Sequence, residues 1–155
     1  MPVVNSAQYA VMLEKARQEK YAYPAFNVTS SETANAVLLG LKAAGSDGIV
    51  QISTGGAEFM SGLGVKDMAK GAIALADYVH YMAAQYDVNV ALHTDHCHPK
   101  DLAGFVLPLI EETSAGVPRA ARTSTTPTCS TARSWPWART WPSLRNCCAA
   151  VLPAS

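Results

Sequence analysis

Val88-Asn89-Val90-Ala91-Leu92-His93-Thr94-Asp95-His96-Cys97-His98 is a short apolar run that ends in three imidazoles, a carboxylate and a thiol, and it holds every histidine of the chain except His80. Val, Ala and Leu over so few residues suit a buried parallel strand from Val88 to Leu92, and such strands present reactive groups at their carboxyl ends. Imidazole is the commonest nitrogen ligand for zinc, a neighbouring carboxylate can move protons or orient a ligand, and a thiolate is a further soft donor. Two readings stand side by side: a metal site, or a polar strand-to-helix loop whose histidines hydrogen-bond to backbone.

Working outward, the same alternation recurs upstream. Ser6 is placed to cap a helix running to about Tyr21, with Tyr9, Met12, Leu13 and Ala16 on one side. Tyr23 to Val28 reads as a short strand, with Pro24 near its start. A Ser/Thr cluster, Thr29 to Thr33, then opens a helix through Ala34, Val37, Leu38 and Leu41 that Gly45 stops; Ser30 and Thr33 fall short of a full capping box. Asp47 to Ser53 is the second strand, followed by a glycine-rich stretch from Thr54 to Gly64 read as a loop. A helix follows from about Lys66 to Gln85, with Met68, Ile73, Leu75, Ala76 and Val79 as core candidates and His80 as a surface or hydrogen-bonded residue. After the Val88 strand, Pro99 opens a helix through Phe105, Val106, Leu109 and Ile110. Strand–helix alternation implies a parallel sheet with right-handed crossovers, of the (β/α) barrel or open doubly wound kind. Asn27, Ser53 to Gly56 and Asp95 to His98 all follow strands, on the face where such folds do chemistry. Gly55 and Gly56 would let backbone N–H groups approach a phosphate, with Ser53 adding a hydroxyl, but they match neither the Rossmann nor the P-loop spacing, and a plain turn is the simpler reading.

Charge excludes some classes. Lys and Arg total 12 and Asp and Glu total 12, so nothing global favours nucleic acid or a membrane surface. The start of the chain lacks a basic segment followed by an apolar run, no stretch is long enough to span a bilayer, and the cysteines form no disulfide framework; a cytoplasmic, reduced setting is expected. The average conceals a break: the last acidic residue is Glu112 and the last lysine Lys100, whereas the remainder carries five arginines, five of the nine prolines and all three tryptophans.

The motifs Pro24-Ala25-Phe26-Asn27, Ser46 through Ala57, Gly62-Leu63-Gly64-Val65 and Ala91-Leu92-His93-Thr94-Asp95-His96-Cys97, in order and with matching gaps, closely resemble the zinc-dependent class II fructose-bisphosphate aldolases. The resemblance covers residues 1–113 and implies an α/β fold: an N-terminal helix, then the first three βα units of a (β/α)8 TIM barrel. It implies reversible cleavage of fructose 1,6-bisphosphate, a phosphorylated ketose, in a homo-oligomeric parent family; tagatose bisphosphate aldolase and a small non-enzymatic binding module are the alternatives. By the same resemblance His96 is a zinc ligand and Asp95 the acid–base group for the aldehyde half, with Asn27, Ser53, Gly55 and Gly56 near the substrate and His93 and His98 in support. Zinc acting as a Lewis acid on the ketone makes a lysine Schiff base unnecessary. The family's other zinc-binding histidines come from later strands, and no histidine follows His98, so the Zn2+ site is expected to be incomplete and the 155 residues inactive alone.

Residues 114–155 read as an out-of-frame tail, non-native or disordered. G/C-rich codons for Pro127 to Cys148, displaced by two bases, can spell His-Met-Phe-Asp-Gly-Ser-Val-Leu-Ala-Leu-Gly-Glu-Asn-Leu-Ala-Ile-Ala-Glu-Glu-Leu-Leu, which resembles the expected continuation of the aldolase family. An Arg/Trp segment binding nucleic acid or membrane is the rival, and the scattered spacing of the arginines counts against it.

Overall fold

The computed structural model describes residues 3–114. Apart from Ser114, the expected tail lies outside the described residues.

The first helix, α1, spans Ser6–Glu19. Its cap is Asn5 rather than Ser6: Asn5 Oδ1 accepts from the Gln8 N–H at 2.9 Å and Gln8 Oε1 accepts from the Asn5 N–H at 3.0 Å, a reciprocal pair that satisfies two otherwise orphaned donors. Tyr9, Met12 and Ala16 are buried, but Leu13 is 43% exposed, because the covered stripe of this helix is narrower than its apolar content. Strand β1 is Ala25–Asn27 and helix α2 is Ser31–Ala44, capped by Ser30 and stopped by Gly45 in the left-handed region at φ 60°. Ser30 and Thr33 do form a reciprocal capping box, the Thr33 hydroxyl serving where Glu or Gln was looked for. Strand β2 is Gly48–Ile52.

The glycine-rich stretch is not all loop. Thr54–Met60 is helix α3, with Ser53 as its cap, and α4 follows over Met68–Ala83 with Asp67 as its cap. Glycine weakens a helix, so the local sequence argues against α3; its close crossing with α4 holds it. Gly71 on α4 lies against the Ala57 carbonyl so tightly that a Cβ there would overlap it. Gly71→Ala is therefore expected to cost about 1–3 kcal/mol by forcing the two helices apart, read as a lower urea midpoint; an unchanged midpoint would show that the crossing is not close.

Strand β3 is Val90–Thr94, two residues later than the sequence suggested, so His93 lies inside it. A short 3-10 turn, Pro99–Asp101, precedes α5 at Val106–Ser114. Pro99 thus starts a turn and not the helix itself. No helix among the described residues is long and apolar enough to cross a membrane.

The three strands are parallel in the order β1-β2-β3, with Asn27, Gln51 and His93 in one row and Phe26, Val50 and Leu92 in the next. Successive residues point to opposite faces, which sorts the sheet. Val28, Val50, Ile52, Val90 and Leu92 face α2, α4 and α5 and join Leu38, Leu75, Val79 and Phe105 in the main core. Val50, Ile52, Val90 and Leu92 thus belong to the helix-covered side and are at most 2% exposed. Ile49 and Ala91 lie on the other face, closed from below by Val4, Tyr9 and Met12. Together these elements make the first three βα units of a barrel, with α1 under its inner face.

Candidate active site at the carboxyl end of the sheet

Asp95 sits one residue past β3, and its N–H donates to the Ile52 carbonyl at 2.9 Å, which carries the ladder one step beyond the strand and fixes the carboxylate above β2. From β1, Asn27 Nδ2 donates to Asp95 Oδ2 at 2.9 Å, and the His96 N–H donates to Oδ1 at 2.7 Å. The Gln51 side chain donates as well. Burial pushes the Asp95 carboxyl up, but the bonds from Asn27, the His96 N–H and Gln51 outweigh it and hold the group below the usual carboxylate range. Asp95 is thus a carboxylate at neutral pH. Its side chain is 18% exposed, so lone pairs left over from these three bonds can still meet a ligand.

His96 projects from the same rim with its side chain 79% exposed, Nε2 lying 3.9 Å from Asp95 Oδ1. His93 is closed off from solvent instead. It is 3% exposed, lies edge-on to the Tyr9 ring at 4.9 Å, and its Nε2 has no hydrogen-bond partner. Burial pushes its imidazole down to about 4, so it is neutral over the physiological range. His80 on α4 is similar: its Nε2 is buried without a partner and burial lowers its pKa, against the opposing charge of Asp77. The Cys97 thiol is half-buried beside the rim and donates to the His98 carbonyl at 3.5 Å; burial raises its pKa, which disfavours the thiolate a metal would need.

The Ser53 hydroxyl accepts from the Gly56 N–H at 3.1 Å and is thereby the cap of α3. Gly55 and Gly56 therefore form the first helical turn of α3, not a free turn, on the same rim as Asp95. A Cβ at Gly56 would come within 3.2 Å of the Val28 carbonyl, whereas Gly55 faces open space. The structure thus brings Asn27 and Asp95 into direct contact, adds His96 at their edge, and places Ser53, Gly55 and Gly56 at the end of the neighbouring strand. Gln51 was missed from sequence. Its signal was available in the strand alternation, since it lies two residues after Ile49 and pairs with Asn27 on one side and His93 on the other.

Among the described residues no three His, Cys, Asp or Glu side chains come close enough together to hold a metal ion. A structural or catalytic zinc needs three or four such donors, and the exposed imidazoles here, His96 and His98, do not converge with a third donor. The donor set of residues 3–114 does not fit zinc.

The family model described as "Fructose-bisphosphate aldolase class-II" matches residues 7–115. The chain is 60% identical over 110 residues to the fructose-bisphosphate aldolase of Mycobacterium tuberculosis strain H37Rv, covering 71% of this chain and 32% of that one. It is 57% identical over 110 residues to the fructose-bisphosphate aldolase of Streptomyces coelicolor, with the same coverage. Among solved structures, the fructose-bisphosphate aldolase of Campylobacter jejuni superposes with a TM-score of 0.70 at 37% identity, over 73% of this chain and 33% of that one. The chain spans about a third of the length of the curated relatives it matches. On the sequence match and on the three-strand parallel unit that carries it, the chain belongs to the class II fructose-bisphosphate aldolase family.

Proposed function

We propose that residues 1–113 are the opening part of a lyase that reversibly cleaves fructose 1,6-bisphosphate into dihydroxyacetone phosphate and glyceraldehyde 3-phosphate, and that residues 114–155 are an out-of-frame continuation. The observation that carries the reading is the Asn27–Asp95 hydrogen bond across the carboxyl ends of β1 and β3. It supports Asp95 as the acid–base group. A carboxylate held ionised at that rim takes the proton of the substrate hydroxyl as the carbon–carbon bond breaks, and returns it in the condensation direction. Asn27 and Gln51 orient it and keep it charged. Ser53, Gly55 and Gly56 border the same opening and are assigned to substrate contact, Gly55 by backbone approach. His96 is the one imidazole this part brings to a zinc centre, and the other donors come from outside the described residues.

Two preparations test this. The 155-residue polypeptide should show no aldol cleavage, with or without added zinc, and its urea midpoint should not move on adding zinc or a chelator, because fewer than three converging donors give no linkage worth measuring. Splicing residues 1–113 onto the remaining two-thirds of the Mycobacterium tuberculosis relative should give a zinc-dependent aldolase. Zinc-dependent turnover by the 155 residues alone, or a folded splice without turnover, would overturn the assignment.

A further inference from the structure

Along β3 and one step past it, Ala91, His93 and Asp95 alternate onto the same face of the sheet, so His93 lies one side-chain row beneath the Asp95 carboxylate. Across the sheet His93 is the register partner of Gln51, itself the partner of Asn27. It therefore stands beside the carboxamide that donates to Asp95. The His93 ring is fixed in place: it is 3% exposed and meets the Tyr9 ring edge-on, 4.9 Å between centroids and 88° between planes. Tyr9 is held in turn, because the Val4 N–H donates to the Val90 carbonyl at 2.9 Å and ties the start of α1 to the strand that carries His93. His93 Nε2 has no hydrogen-bond partner, so the ring acts on its surroundings by filling space and not by a bond of its own. Gln51 is half-buried, and a long carboxamide in that setting keeps one rotamer only where its neighbours leave no other room.

We propose that His93 is a positioning residue for the acid–base carboxylate: seated on Tyr9 of α1, its ring occupies the space beneath Asp95 and beside Gln51, and so keeps the Gln51 carboxamide turned toward Asp95. This rests on the aldolase reading of Asp95. Emptying that space lets Gln51 drop into it, and the carboxylate then loses one of its three donors and the constraint on its own orientation. Proton transfer depends on such alignment more steeply than substrate binding does. The N-terminal helix thereby sets the stance of the reacting group from the opposite end of the strand.

Two readouts test this, one of them independent of turnover. In the full 155-residue chain, the side-chain amide signals of Gln51, followed by nuclear magnetic resonance, should carry the shift of a bond to a carboxylate; His93→Ala should move them to the position of a free amide, and His93→Phe, which refills the space, should bring them back. In the spliced enzyme, His93→Ala should lower kcat by about 10²-fold with KM within about threefold, the pattern of an interaction made only in the transition state. Adding Gln51→Leu to His93→Ala should cost little beyond Gln51→Leu alone, because the two side chains act as one unit. Should His93→Ala fail to fold, His93→Phe and Gln51→Leu still decide, since Phe must preserve the Gln51 signals and Leu must reproduce the loss in kcat. Gln51 signals that stay in place in a folded His93→Ala chain, a loss confined to KM, or Gln51 signals lost in a folded His93→Phe chain would overturn the proposal. A folded parent splice without turnover would overturn the aldolase reading instead, and the Gln51 signals would then decide the role of His93 by themselves.

Discussion

Replacing Asp95 by Asn in the spliced enzyme lowers kcat by roughly 10²–10⁴-fold, the range expected when a positioned acid–base group is removed. Asn preserves the shape and can accept the His96 N–H that now reaches Oδ1 at 2.7 Å, so the loss reads proton transfer and not collapse of the rim. The neighbouring Asn27→Ala gives a different pattern. Without its bond to Oδ2, the ionised carboxylate loses one of the donors that hold its pKa down. The acid limb of the kcat/KM profile should move to higher pH, with a loss of only about tenfold at the optimum, as fits one hydrogen bond to a charged group. An Asp95→Asn enzyme within about threefold of its parent, at comparable folding, would remove Asp95 from the chemistry.

The chain loses stability as pH falls from about 6.5 toward 4, by an amount on the order of 3 kcal/mol from His93 alone. The folded imidazole, sealed against Tyr9 with an unpartnered Nε2, does not take a proton until about pH 4. The unfolded one takes it near 6.5. Between those values the unfolded state binds more protons, so stability rises with pH through the window and is fully present above it. His80 adds the same sign, its pKa also being lowered by burial. Urea unfolding at pH 7, 5.5 and 4.5 should show this slope, and His93→Phe, which fills the site and cannot titrate, should remove most of it. Parallel slopes for the two proteins would show that His93 is not buried neutral.

Much of this was legible in the residues themselves. The apolar runs around Val50 and Val90, the Ser/Thr cluster before α2 and Gly45 after it are local signals, and each marks an element within a few residues. What the sequence misplaced depends on contacts far along the chain. His93 looked like part of the polar rim, because nothing nearby announces that Tyr9 will close over it. Gly55 and Gly56 looked like a turn, because the α4 glycine that admits their helix lies at position 71. Which face of β2 and β3 meets the helices was not legible either, since an unbroken run of apolar residues does not say it. The site fared better. Asp95 and Asn27 were selected through a family likeness that compresses many such contacts, and their direct bond is what geometry adds. Gln51 escaped because it was read within its strand and not across to its neighbours.

Helix α1 seats Tyr9 and Met12 beneath Ile49 and Ala91, although it precedes along the chain the strands that make its seat. As synthesis proceeds, a greasy floor that would otherwise stand open to other nascent chains already has its cover waiting. The early part of the polypeptide therefore acts as its own chaperone, keeping the growing sheet presentable on one side until later segments arrive.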